Sequence, residues 1–217
     1  MPRRSGSRSG LRVIGRGAFC GCTSLKGVRL PDSLEEIGLD AFRESGLEDF
    51  AAPRSLRTVR QGAFWECRQL RRARLNEGLE ALGTDEYPPE REGARCYTGV
   101  FERSALESIS LPSTLKRIEY GAFEGCGGLA SVQLPGRLER IGKRCFCGCA
   151  LEEVSFPASV EEVQELAFYG NQLRRIAFRA GSRLRLVGGH AFGKNGQLQD
   201  VHFPEGARVS EKVFQNI

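Results

Sequence analysis

The feature that most constrains this chain is a phenylalanine that returns at a nearly constant interval. Nine such residues lie along it, at Phe19, Phe42, Phe64, Phe101, Phe123, Phe146, Phe168, Phe192 and Phe214. Their intervals are 23, 22, 37, 22, 23, 22, 24 and 22 residues. A repeat of about 20–29 residues is typical of a solenoid, in which each unit packs only against its neighbours. We therefore predict one elongated domain of about nine coils, with about 14 extra residues in the 37-residue interval.

Each unit has two halves separated by a proline. The reference unit from Leu129 to Phe146 reads Leu-x-x-Val-x-Leu-Pro-x-x-Leu-x-x-Ile-Gly-x-x-Cys-Phe. Its first half alternates apolar and polar residues, which predicts a short strand with one solvent-facing side. Proline ends that strand because it has no N–H to donate. The second half predicts a short strand followed by a tight or helical turn, after which the Phe fills the interior and stacks on its equivalents.

The same segments recur along the chain with little variation. They are Leu-x-x-Val-x-Leu-Pro, Ser-Leu-x-x-Ile-Gly (as at 33–38) and Ala-Phe-x-Gly-Cys (as at 122–126). This pattern resembles the BspA-like leucine-rich repeat family, the 23-residue repeat class, over roughly residues 11–217. The resemblance implies a leucine-rich-repeat solenoid of parallel short β-strands stacked coil on coil with short or helical turns. It also implies a curved binding surface, often used in adhesion or recognition, and it supplies no catalytic residues.

The domain organisation follows from the extent of the repeat. We expect a disordered basic tail over residues 1–10, then a single solenoid over 11–217 with a loop insertion at about 84–99. Asn76 and Arg179 depart from the pattern by replacing the strand-ending proline. Neither end resembles the polar cap that such arrays normally carry. We therefore interpret the chain as a fragment or an uncapped module, whose end coils could self-associate.

Eight cysteines raise the question of metal or disulfide chemistry. Cys22, Cys67, Cys126 and Cys149 share one repeat position, three residues after the Phe, which predicts a ladder of small buried residues. Zinc sites usually pair ligands with two to four residues between them, so the Cys-x-Cys spacing disfavours zinc. Disulfides between coils would also need chance geometry. We expect no metal and no cofactor.

Reduced thiols and the lack of a secretory signal favour a cytoplasmic location, although compartment stays undetermined.

Enzymatic activity finds no support in the pattern of reactive residues. His190 and His202, the two histidines of the chain, fall in one unit with no Ser or Cys placed as a nucleophile. The glycine pairs occur at turns rather than in a phosphate-binding loop. No segment approaches the roughly 20 apolar residues needed to span a bilayer.

Charge is more informative. The net charge of +5 comes from an excess in the first third of the chain. The two residues after each leading Leu alternate in sign between neighbouring units, as in Glu48-Asp49 against Arg71-Arg72, and in Glu152-Glu153 against Arg174-Arg175. Opposite charges on adjacent strands stabilise the pairing, so we expect most of this ladder to neutralise itself.

One basic excess survives this pairing. It comprises Arg68, Arg71, Arg72 and Arg74, with Arg29 nearby. We expect an acidic protein segment or a polyanion to dock there. Sequence-specific nucleic-acid recognition is disfavoured because no aromatic residues are interleaved with the arginines. The insertion carries Tyr87 and Tyr97 as further candidate contacts, because loops often carry function.

These observations favour a non-catalytic protein-binding scaffold that uses the exposed face of the solenoid. The identity of the protein partner cannot be inferred from the sequence. Two alternatives are a segment of a cell-surface adhesion or recognition protein, as the resemblance implies, and a structural spacer in a larger multidomain protein.

Overall fold

The computed structural model describes residues 10–83, 99–199 and 201–216. Over these ranges the chain is a parallel-strand solenoid with no helix, which confirms the predicted fold class. The turns are tight rather than helical. The predicted tail at 1–10 and insertion at about 84–99 fall mainly on residues 1–9 and 84–98, which lie outside the described residues.

A column of stacked phenylalanine rings runs through the interior. From Phe19 to Phe192, each ring of the repeat lies nearly parallel to the next, with centroids 4.9–5.6 Å apart and interplanar angles of 3–14°. Phe64 and Phe101 stack like the other neighbours, although 37 residues separate them. The longer interval therefore adds no coil, and the nine phenylalanines delimit eight turns.

The last ring departs from the expected column. Phe214 is 48% exposed and packs on Phe203 at 6.0 Å with an angle of 34°. Phe203, from the strand position of the last unit, also contacts Phe192 at 39°. The parallel stack therefore ends at Phe192, and the ring of the last described coil packs at an angle on Phe203.

Short strands form one side of the coils and, in five of the described coils, a second side as well. Within residues 10–83, 99–199 and 201–216 they are β1 Val13–Ile14, β2 Glu36–Ile37, β3 Asp49–Ala51, β4 Thr58–Val59, β5 Arg72–Arg74, β6 Ala81–Leu82, β7 Ser108–Ser110, β8 Arg117–Ile118, β9 Arg140–Ile141, β10 Glu153–Phe156, β11 Glu162–Val163, β12 Arg175–Phe178, β13 Leu186–Val187 and β14 Arg208–Val209.

The first half of each unit builds what we call the long-strand face. It contains a three-stranded sheet in the order β3-β5-β7 and a pair, β10-β12, all parallel. Phe50 and Ala73 point inward and are buried, whereas their neighbours in β3 and β5 are exposed. The predicted alternation thus holds, and every second side chain is free for contacts outside the fold.

The second half of each unit forms the opposite, short-strand face. Its strands pair in the orders β1-β2-β4 and β6-β8-β9-β11-β13-β14. Inward residues form in-register columns, such as Ile118 beside Ile141 and Val163 beside Val187, and these side chains are buried. Burial of these branched side chains against their equivalents holds the coils in register.

The third side is a stack of turns around the Phe. From Phe19 to Phe192, the N–H of each repeat Phe donates to the carbonyl of the residue just before the Phe of the next coil, at 2.7–3.0 Å. The residue two positions after the Phe is left-handed in eight coils, with φ of 51–72°. Glycine adopts this conformation without a steric penalty, which explains the recurrent Ala-Phe-x-Gly segment.

Truncating one ring should test the contribution of the phenylalanine column. Phe123 is fully buried, so Phe123→Ala should lower the free energy of unfolding by about 3–5 kcal/mol. Phe214→Ala removes the same atoms from a half-exposed position and should cost only about 1 kcal/mol. Urea denaturation followed by the fluorescence of Trp65, the chain's one tryptophan, measures both. Equal losses would contradict the role of the stack.

A matched pair of glycine variants should test the turn. Gly148 has φ +68° and no atom closer than 3.8 Å to an added Cβ, so Gly148→Ala should destabilise through backbone strain by about 1–2 kcal/mol. Gly127 also has open space but not the left-handed conformation. Gly127→Ala should be neutral or slightly stabilising. Thermal melts followed by circular dichroism compare the two, and a harmless Gly148→Ala would count against the turn requirement.

Candidate functional site

The long-strand face carries the arginines that the sequence singles out. Arg71 directly precedes β5, Arg72 begins the strand and Arg74 ends it, and all three are exposed. In-register pairing puts Asp49 on one side of Arg72 and Ser108 on the other. The outward side chains of three coils therefore meet on one surface.

Two of these three arginines form ion pairs with acidic residues of neighbouring coils. The Arg72 guanidinium donates from Nε and Nη2 to the two carboxylate oxygens of Asp49, at 2.7 and 3.1 Å. Arg71 pairs with Glu107 of the next coil, and Lys26 lies 3.5 Å from Glu48. The predicted neutralisation between adjacent coils is therefore confirmed for these three pairs.

The second predicted charge pairing, of Glu152-Glu153 with Arg174-Arg175, gives no ion pair in the part of the chain that the structure describes. Glu153 lies opposite Arg175 in the β10-β12 register. Within the described ranges, no ion pair joins Glu152 or Glu153 to Arg174 or Arg175. Adjacent strands bring the backbones together, but these exposed side chains extend into solvent without meeting. Register alone therefore does not guarantee an ion pair on this surface.

Two arginines of the basic group contact no acid among the described residues. Arg74 lines a hollow of about 490 Å³ together with Lys26, Asp49, Arg72 and Ser110, which we call the arginine hollow. Arg29 occupies the equivalent repeat position two coils earlier and is exposed. Both guanidiniums therefore present donors to solvent on the same side of the face.

The remaining predicted contacts lie elsewhere. Arg68 follows the Phe64 turn rather than β5, and its Nη2 donates to Glu66 at 2.9 Å. The structure thus separates Arg68 from the arginine hollow. Tyr87 and Tyr97 lie outside the described residues, and their role stays a prediction.

The repeat position three residues after each Phe forms a column of side chains that is buried but also makes hydrogen bonds. The thiols of Cys67, Cys126 and Cys149 each donate to the carbonyl of the Phe in the preceding coil, at 3.0–3.1 Å. Asn171 and Asn195 make the equivalent bond at 2.7 and 3.0 Å. The predicted burial is confirmed for these three thiols, and the hydrogen bond explains why Cys and Asn share the position.

The thiol at the same position in the first coil differs. Cys22 is exposed, as is Cys20, so the prediction of burial is wrong for Cys22. The described part of the chain contains no coil before it, and its side chain is therefore covered from one side only. Sequence position within the repeat could not show this, because burial depends on both neighbouring coils.

The buried thiols are poorly suited to metal or nucleophilic chemistry. Burial raises the pKa of Cys126 to about 12 and raises the pKa values of Cys145 and Cys149 well above the usual range. Thiols that stay protonated are poor ligands and weak nucleophiles. Among the described residues, no three His, Cys, Asp or Glu side chains come together in a way that could hold a metal ion. No helix there is long and apolar enough to cross a membrane.

Solved structures with similar folds include two leucine-rich repeat proteins. A leucine-rich repeat protein from Bacteroides ovatus ATCC 8483 matches with a TM-score of 0.60 and 20% identity, covering 91% of this chain and 66% of that one. A leucine-rich repeat protein of T. pallidum matches with a TM-score of 0.55 and 27% identity, over 87% and 72% of the two chains. The chain thus spans about two thirds of the length of the first of these structures. Comparison with curated proteins gave no match.

The family assignment rests on sequence. The family model of the BspA type leucine rich repeat region matches residues 7–87 and 95–217 in six copies. These ranges contain the Phe column, both strand faces and the turn stack. The chain therefore belongs to the BspA-type leucine-rich repeat family.

Proposed function

We propose that this protein is a non-catalytic binding scaffold that holds an acidic segment of a partner protein on its long-strand face. The observation that carries the proposal is the state of Arg74 and Arg29. Both are exposed without an ion pair or hydrogen bond among the described residues, whereas Arg71 and Arg72 on the same face are paired.

The surroundings of Arg74 support binding of a carboxylate. The arginine hollow is open, and the outward side chains around Arg74 include the small residues Ala51 and Ser110, which leave the guanidinium accessible. A guanidinium offers a planar pair of donors that matches a carboxylate. Asp49 does not compete for Arg74, because both of its oxygens accept from Arg72.

The spacing of the two arginines fits an extended chain. Arg29 and Arg74 are separated by two strand spacings, which is about 10 Å, and an extended peptide rises about 3.3 Å per residue. Side chains of an extended peptide alternate sides, so two acidic residues two or four positions apart face the same surface. They span about 7 or about 13 Å, and both spacings bring the carboxylates within reach of the two guanidiniums. A peptide that crosses the coils in this way would also cover the small side chain of Ala51 between them.

Reversing the two charges should test this proposal. The double variant Arg29→Glu/Arg74→Glu should weaken binding of a fluorescein-labelled octaglutamate peptide at least tenfold, because two attractions become repulsions. The control variant Arg137→Glu/Arg208→Glu changes the net charge equally at exposed positions away from the hollow, and should weaken binding less than threefold. Fluorescence anisotropy at constant salt measures both.

Three results would contradict the proposal. They are no binding of the peptide to the unmodified chain, equal weakening by the two double variants, and equally tight binding of a single-stranded oligonucleotide with eight phosphates. The last would indicate a general affinity for polyanions.

A further inference from the structure

The long-strand face is interrupted between β7 and β10. The repeat predicts a strand at residues 131–133, equivalent to β5 and β7, but this segment pairs with neither neighbour. Among the described residues, no hydrogen bond reaches the backbone N–H or C=O of Ser131, Val132 or Gln133. Backbone polar groups in folded proteins are nearly always paired with protein or water. These three residues therefore retain donors and acceptors that a ligand could use.

A groove lies over this interruption. Its volume is about 670 Å³, and Ser131, Val132 and Gln133 line it together with Ser110 and Ser155 of the flanking strands. Short hydroxyl and amide side chains dominate the exposed positions of its floor. Such a surface offers hydrogen bonds without the bulk that would fill the groove, so it suits a polar, extended ligand.

The two rims of the groove carry opposite charges. Arg179, one of the two replacements of the strand-ending proline, lines one end, is exposed and pairs with no acid among the described residues. Its backbone N–H, which a proline would lack, donates to Phe156 at 3.1 Å and fixes the start of its side chain. Glu77 lines the other end.

The Glu77 carboxylate is held in a charged state. The backbone N–H and the hydroxyl of Ser113 donate to its two oxygens at 3.0 and 2.9 Å. These hydrogen bonds lower the pKa of Glu77, so it stays negative at neutral pH. Because Ser113 is its partner, the carboxylate has a fixed position and keeps lone pairs for a cation.

We propose that the groove between Glu77 and Arg179 binds an extended peptide that crosses the coils, with a basic residue of the peptide at Glu77 and a carboxylate at Arg179. Four coil spacings separate the two rims, which is about 19 Å and corresponds to about six extended residues. The free backbone groups of residues 131–133 meet the middle of that peptide. The groove adjoins the arginine hollow at Ser110 but uses neither Arg29 nor Arg74, so this proposal does not depend on the acidic-segment site.

Selection from a random heptapeptide phage library against the immobilised chain tests the proposal. We expect enriched peptides to carry a basic and an acidic residue four to six positions apart. Selection on Arg179→Ser should lose the preference for the acid, and selection on Glu77→Gln should lose the preference for the base. Arg74→Ser is the matched control, because it removes a nearby exposed arginine outside the groove, and it should retain both preferences.

One enriched peptide then allows a double-mutant cycle between Arg179 and the acidic residue of the peptide. In fluorescence anisotropy, Arg179→Ser should weaken binding at least fivefold, and replacing the acid of the peptide by its amide should remove most of that difference. Circular dichroism melts verify that each variant is folded. Failure to enrich charged peptides, or equal weakening by Arg74→Ser, would overturn the proposal. Since the octaglutamate experiment concerns Arg29 and Arg74, either site can fail without the other.

Discussion

The packing of one phenylalanine on the next is the contact on which the other features of this solenoid depend. Each Phe from Phe19 to Phe192 joins the stack through its ring and reaches the next coil through its backbone N–H. Ring contact alone would allow the coils to slide or rotate, and a single hydrogen bond would not exclude water. Together they fix both the distance and the register of neighbouring coils, and the strands on the other two sides pair within that frame.

Much of this architecture could be predicted because it repeats. The interval between phenylalanines indicates the coil, and the alternation in Leu-x-x-Val-x-Leu indicates which side chains point inward. Features confined to one coil could not be predicted in the same way. Phe214 holds the repeat position but packs at an angle on Phe203 instead of continuing the stack. The missing strand pairing at residues 131–133 likewise has no marker in a segment that matches the consensus.

In the candidate sites, too, the repeated features could be predicted from the sequence and the features of single coils could not. Alternating charge predicted the ion pair of Arg72 with Asp49, because register brings these residues side by side. It did not distinguish this pair from Glu153 and Arg175, which share the same register without an ion pair, since exposed side chains select their own rotamers. Arg179 was visible in the sequence as a departure from proline. Its place at the rim of a groove required the structure, because the groove extends over several coils.

The hydrogen-bonded ladder three residues after each Phe has a consequence for how the solenoid opens. Cys67, Cys126 and Cys149 sit in three different coils, and each thiol is sealed by its own turn and the one before it. A thiol-reactive reagent would therefore modify each of them only when its coil separates from a neighbouring one. The labelling rate of each cysteine thus reports how often its own coil opens. A comparison of the three rates would show where along the array unfolding begins.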